Sequence, residues 1–227
     1  MANTNINFSI MKEKKNISEH QASRVELNEL FNLYHSKQLI KAKTKGLRLV
    51  RQFPKAFILH NMLGLILSDK KEFKKAIDSF KKAIKIKPDF AIAYNNLGNI
   101  YKNNGKTNLA IKHYKKAIEI NPKGPEPYNN LGNIYKSKNK LLDSINFYKQ
   151  AININPKLFI VHNNLGIAYK ILGKFNEARQ CFIETIKIKP DFYYAHRNLG
   201  LITNRKLSSE NLETLKNSFI NLKTDND

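Results

Sequence analysis

Thirty-four residues separate Pro54, Pro88, Pro122, Pro156 and Pro190, each from the next. Gly64, Gly98, Gly132, Gly166 and Gly200 keep the same interval, and each follows a leucine: Leu63, Leu97, Leu131, Leu165, Leu199. Three residues beyond the glycines come Leu67, Tyr101, Tyr135, Tyr169 and Thr203. The second half of the period carries Ala76, Ala110, Ser144 and Ala178, then Phe80, Tyr114, Tyr148 and Phe182, then Ala83, Ala117, Ala151 and Thr185. A period this strict constrains the fold more than any other feature. It means copies of one supersecondary unit, none of which can bury its apolar face alone, so neighbours must stack.

Each copy reads as two helices. Numbering the copies from Phe57, Ala91, Pro125, Phe159 and Tyr193, positions 3, 4, 7, 8, 10 and 11 fall on one arc at 100° per residue. In the second copy these are Ala93, Tyr94, Leu97, Gly98, Ile100 and Tyr101, with the glycine where a neighbouring helix must approach closely. The second helix carries its own stripe: Ala110, Ile111, Tyr114, Ala117 and Ile118. Each proline then stops the chain, because it cannot continue a helix without losing a hydrogen bond. The expectation is helix pairs near 57–70 and 73–87, repeating every 34 residues.

This pattern of Leu-Gly, Tyr, Ala, aromatic, Ala and Pro resembles the tetratricopeptide repeat. The resemblance covers residues 57–192 as four units and implies an all-α right-handed solenoid whose first helices line a concave face. Residues 23–56 form a looser unit, with Leu30, Leu33, Ala42, Leu49 and Pro54 near phase. Gly46 stands in its aromatic slot, so that unit is degenerate. Residues 193–222 read as a half repeat and a capping helix starting at Ser208 or Ser209, with Leu212, Leu215, Phe219 and Leu222 on one side. Residues 1–22 are polar and aperiodic, an expected disordered segment, and 223–227 an expected frayed tail.

The net charge of +22 comes from 34 Lys and only 6 Arg, alongside 30 Asn and 26 Ile. Those three abundant residues share AT-rich codons, so genome composition accounts for the basicity as readily as an anionic partner does. Nucleic-acid binding has only this charge behind it. There is no charged segment followed by an apolar one at the start and no run of ~18 apolar residues, so neither export nor membrane insertion is expected. Together with a single cysteine, Cys181, this points to the cytoplasm.

Opposite the apolar arc lie positions 2, 5, 6, 9, 12 and 13. Asparagine repeats at position 5 as Asn61, Asn95, Asn129 and Asn163, and at position 6 as Asn96, Asn130, Asn164 and Asn198. Asn99 and Asn133 share position 9, and Lys102, Lys136 and Lys170 position 12. A primary amide both donates and accepts, so a row of them can grip the backbone of an extended peptide whatever its sequence. The Asn-Asn-Leu-Gly strings are similar to the repeats of protein O-GlcNAc transferases, and that resemblance implies an asparagine ladder that binds peptide. Duplication of one Asn-rich unit explains the same row without a ligand. The lysines read either as a rail for an acidic segment or as a solvated face; the spread of basic excess over all units favours the face. The family's clamp for a terminal carboxylate needs Lys at position 5, which is asparagine here. Apolar residues also fall on this arc: Ile58, Met62 and Leu65 in the first unit, Ile160, Ile167 and Ile171 in the fourth, next to Tyr194 and Leu201. Either the degenerate unit and the capping helix cover them or apolar side chains of a bound peptide do; self-coverage is the expectation.

No catalytic, metal or cofactor constellation emerges. His60, His162 and His196 share position 4, where Tyr94 and Tyr128 stand in other copies, and read as packing residues. Cys181 has no partner cysteine, and no phosphate-binding glycine loop occurs. The leading expectation is a non-enzymatic scaffold binding an extended protein or peptide segment. The alternative is a docking module of, or relative of, a bacterial glycosyltransferase or sulfotransferase whose catalytic domain this chain lacks. That alternative rests on resemblance: the stretch from Leu30 to Pro54, then His60-Asn61-Met62-Leu63-Gly64 and the Asn-Asn-Leu-Gly units, is similar to the leading arrays of those enzymes.

Overall fold

The structure, a computed structural model, describes residues 23–203. The expected disordered segment 1–22, capping helix and frayed tail lie outside the described residues. Those residues form eleven α-helices: α1 (Arg24–His35), α2 (Leu39–Gln52), α3 (Phe57–Asp69), α4 (Phe73–Ile86), α5 (Ala91–Asn103), α6 (Thr107–Ile120), α7 (Pro125–Ser137), α8 (Leu141–Ile154), α9 (Phe159–Ile171), α10 (Phe175–Ile188) and α11 (Tyr193–Thr203). No strand occurs among them. Each phased proline follows the end of a second helix, and none lies inside one, as expected.

The turn inside each helix pair has a period of its own. Lys37, Lys71, Gly105, Asn139 and Gly173 all take positive φ, between 57° and 72°. This left-handed residue ends the first helix and lets the next N–H reach back, as Gln38 N–H does to the Leu33 carbonyl at 3.0 Å. Glycine adopts that conformation without penalty, and asparagine readily; the two lysines bear it at a cost.

The chain divides between Ala93 and Tyr94 into two compact units. In the first, α1 begins with a capping box: the Ser23 hydroxyl accepts from Glu26 N–H, and the Glu26 carboxylate accepts from Ser23 N–H. Leu30, Tyr34, Ala42, Leu49, Leu59, Met62 and Ile66 make one buried cluster, with Leu27, Phe31, Ile58 and Leu65 packed on it. The apolar arc of Ile58, Met62 and Leu65 is thus covered by the chain's own first helix pair, as expected. The label "degenerate" hides an inversion. Where later pairs set a glycine of the first helix against a ring of the second, here Leu30 of α1 faces Gly46 of α2; a Cβ on Gly46 would lie 3.7 Å from Leu30 Cδ1. The contact keeps its bulk and exchanges its sides.

In the second unit the glycine–ring contact has its usual sense. A Cβ added to Gly98, Gly132 or Gly166 would sit 2.5–2.7 Å from a carbon of the Tyr114, Tyr148 or Phe182 ring. Tyr114, Tyr148 and Phe182 are fully buried, as are Leu131 and Ala151. Burial of a side chain such as Leu131 or Phe182 contributes about 1.5–3 kcal/mol.

Candidate peptide-binding face

The asparagine positions of the second unit sit at the seam between successive first helices. The Asn130 amide donates to Asn95 Oδ1 at 3.0 Å and to Asn99 Oδ1 at 3.1 Å. One repeat on, the Asn164 amide donates to Asn129 Oδ1 at 3.2 Å. Position 6 of one copy therefore clasps position 5 of the copy before it. The next rung would join Asn198 to Asn163, but Asn198 Oδ1 accepts instead from Lys170 Nζ at 2.7 Å. Asn163 is buried and its Oδ1 lacks a hydrogen-bond partner.

This seam changes the picture of an open ladder. Asn96 and Asn163 are buried at 4% and 6% exposure, so the structure does not present these two on the surface as the helical arc alone suggested. The reason is that packing of one first helix on the next consumes the edge of the arc. Asn95, Asn99, Asn129, Asn130, Asn133, Asn164 and Asn198 are half-buried.

Position 9 has a role that the arc did not reveal. The Tyr114 hydroxyl donates to Asn99 Oδ1, and the Tyr148 hydroxyl to Asn133 Oδ1, both at 2.7 Å. Where the core ring is phenylalanine, position 9 is aliphatic: Leu65 with Phe80, Ile167 with Phe182. That pairing is visible in the sequence once one knows which residues meet. Burial pushes both tyrosine hydroxyls far above their ordinary pKa, so they remain donors.

The oxygens of Asn95, Asn99, Asn129 and Asn133 are thus committed inside the fold, while their amide N–H groups have no partner among the described residues. Lys102 and Lys136 have no carboxylate within ion-pair distance there either. Lys136 Nζ lies 5.9 Å from the Tyr148 ring centre, and burial lowers its pKa. The face carries positive charge and the N–H groups of Asn95, Asn99, Asn129 and Asn133, while Asn130 and Asn164, whose amide nitrogens are used at the seam, keep Oδ1 as an acceptor.

The position-4 rings have a specific job. His60, His162 and His196 place Nε2 2.9, 2.8 and 2.6 Å from the carbonyl oxygens of Pro54, Pro156 and Pro190, and the Tyr128 hydroxyl donates to Pro122 at 3.3 Å. A carbonyl only accepts, so Nε2 carries the proton. The ring pins the turn that precedes its helix. Cys181 is buried and its thiol is pushed up to about 11 by desolvation, which keeps it protonated at neutral pH. Among the described residues, no group of three His, Cys, Asp or Glu side chains converges to hold a metal, and no helix is long and apolar enough to cross a membrane. Ile171, Tyr194 and Leu201 are exposed, and the helix expected to cover them lies outside the described residues.

A family model described as TPR repeat matches residues 64–105, 98–139 and 132–173, and one described as Tetratricopeptide repeat matches 159–192. The chain belongs to the tetratricopeptide-repeat family. Its fold is the all-α solenoid of that family, an architecture suited to protein–protein interaction. Among solved structures, MamA is 27% identical, with 72% of this chain and 96% of that chain covered and a TM-score of 0.58. YrrB, described as a TPR protein with an unusual peptide-binding site, is 18% identical over 76% of this chain and 90% of that one, with a TM-score of 0.57. Pseudomonas aeruginosa pilF is 15% identical over 88% and 90%, with a TM-score of 0.72. The last two show the shared fold alone. No curated protein sequence matches the chain.

Proposed function

We propose that this tetratricopeptide protein is a non-enzymatic scaffold whose second unit binds an extended, acidic peptide across the first-helix face. The observation that carries this reading is the run of free amide N–H groups beside lysines on that face. The oxygens of Asn95, Asn99, Asn129 and Asn133 are used internally, leaving amide N–H groups flanked by Lys102, Lys136 and Lys170. N–H groups complement peptide carbonyls, and half-buried lysines complement carboxylates. The four free amides then meet backbone carbonyls, while Asn130 and Asn164, whose nitrogens join the rungs, keep Oδ1 to accept a backbone N–H.

The test is binding of a panel of Glu/Asp-rich extended octapeptides to the intact chain and to Lys102→Ala/Lys136→Ala/Lys170→Ala. At least a tenfold loss of affinity is expected, since a hydrogen bond to a charged group contributes about 1.5–3 kcal/mol. Helix content should be unchanged, as the three side chains lie outside the core. Equal affinity in the folded variant overturns the proposal. The transferase-docking reading has the Asn-Asn-Leu-Gly resemblance behind it and shares the same face; it requires in addition a catalytic partner, for which the described residues hold no counterpart.

A further inference from the structure

The first unit carries a second surface, remote in kind from the asparagine face and independent of the reading above. Between α2 and α4, over α3, lies a cleft of about 710 Å³, within the range of small-ligand sites. Its floor and walls include Leu47, Val50, Leu63, Leu67 and Ile86, and its rim holds Lys43, Arg51, Lys75, Lys82 and Lys85 against a single acid, Asp78.

Two departures from the repeat open it. At the places of Leu67 and Ser79, the second copy has Tyr101 stacked on His113 at 5.2 Å, and the third has Tyr135 against Phe147 at 5.2 Å. Leu67 and the small Ser79, whose hydroxyl turns back to the Lys75 carbonyl, leave that volume empty. The rim departs as well. Two periods further on, the five cationic places hold Ile111 and Glu119 of the second copy and Asp143, Gln150 and Asn153 of the third. A lysine-rich composition would not concentrate charge at one cleft and reverse it at the equivalent place. Glu72 binds Lys43 at 2.6 Å and Lys75 at 3.2 Å, whereas Arg51, Lys82 and Lys85 have no carboxylate at ion-pair distance among the described residues. His60, at the cleft wall, adds no positive charge: its Nε2–H is donated to Pro54 and burial favours its neutral form.

We infer that this cleft docks an acidic peptide segment anchored by one or two large apolar side chains. The apolar floor takes the anchor, and Arg51, Lys82 and Lys85 take flanking carboxylates. Charge complementarity selects an acidic segment, and the floor distinguishes it from a purely electrostatic ligand, which would leave the leucines unused.

The test uses the full chain and a labelled dodecapeptide carrying a Leu-Phe pair flanked by four glutamates, read by fluorescence anisotropy. Leu67→Tyr/Ser79→Phe gives the cleft the tyrosine and phenylalanine that meet in the third copy and should weaken binding at least tenfold. Lys82→Gln/Lys85→Gln, on the exposed rim, should weaken it severalfold and flatten its salt dependence; it decides the matter if the filled variant does not fold. The cleft variants are compared in the Lys102→Ala/Lys136→Ala/Lys170→Ala background, where the asparagine face no longer contributes, and that chain should still bind this peptide. The inference is overturned if that background chain does not bind, if the folded filled variant binds equally, or if a polyglutamate lacking Leu and Phe binds that background chain as tightly. Stronger binding of a DNA duplex at the same rim, or loss confined to the asparagine-face variant, overturns it too.

Discussion

The first helix pair and the pairs of the second unit solve the same packing problem with opposite choices. In the second unit, Gly132 yields to the Tyr148 ring; in the first pair, Leu30 fills the space and Gly46 yields. What the repeat conserves is the combined bulk across a contact, not the residue at a position. Where both sides become small, as at Leu67 and Ser79, the contact turns into a cleft.

The largest expected effect breaks the inverted contact. Leu30→Gly should cost about 3–5 kcal/mol, from the cavity and the added backbone freedom. Adding Gly46→Phe should restore part of that loss. A urea-denaturation cycle should show favourable coupling above about 1 kcal/mol, and strict additivity would refute the inversion.

Gly132→Ala should cost about 1–3 kcal/mol through overlap with Tyr148. Gly46→Ala should be neutral or stabilising, since its Cβ would meet Leu63 Cδ1 at 3.4 Å and alanine favours the helix. Equal losses at both sites would erase the distinction between the two regions.

Tyr148→Phe should cost about 0.5–1.5 kcal/mol, the net value of its bond to Asn133. Combining it with Asn133→Ile reproduces the Phe182 and Ile167 pair and should recover most of the loss in thermal denaturation.

The left-handed turns differ between the units as well, with lysine in the first and glycine or asparagine in the second. Lys71→Gly should stabilise by about 1 kcal/mol, and Gly105→Lys should destabilise by a similar amount. Calorimetric midpoints moving the same way in both variants would contradict this.

The smallest effect is a pH dependence. Burial, reinforced by Lys82, holds the His60 pKa below its ordinary value, against the opposing pull of the Pro54 carbonyl. The unfolded chain then binds the proton more readily. The resulting stability is complete above the ordinary imidazole range and is lost as pH falls through the folded value. His60→Tyr, the residue that Tyr94 and Tyr128 supply elsewhere, should narrow the gap in melting temperature between pH 7.5 and 5.5. An unchanged gap would remove His60 from the acid response.

The helix pairs were legible to within a residue or two, because periodicity and proline stops act along the chain. The glycine–ring contact was legible at its phase, but its inversion at Leu30 and Gly46 looked like decay. Position 4 was readable as packing, whereas the reach of its polar atom to the proline carbonyl was not. On the candidate face, the helical arc placed Asn130 and Lys136 at the surface. It also placed Asn96 and Asn163 there, and both are buried.

Helix propensity, the 3.6-residue stripe and the proline stops are properties of neighbouring residues, so the elements, their order and their spacing follow from the chain alone. What each polar group has left to offer depends instead on packing between distant residues. An asparagine amide has the same capacity at every position until a neighbour thirty-odd residues away takes one half of it, as Asn130 does to Asn95. A cleft likewise has no local signature: it exists because Leu67 and Ser79, on two different helices, are small at the same place.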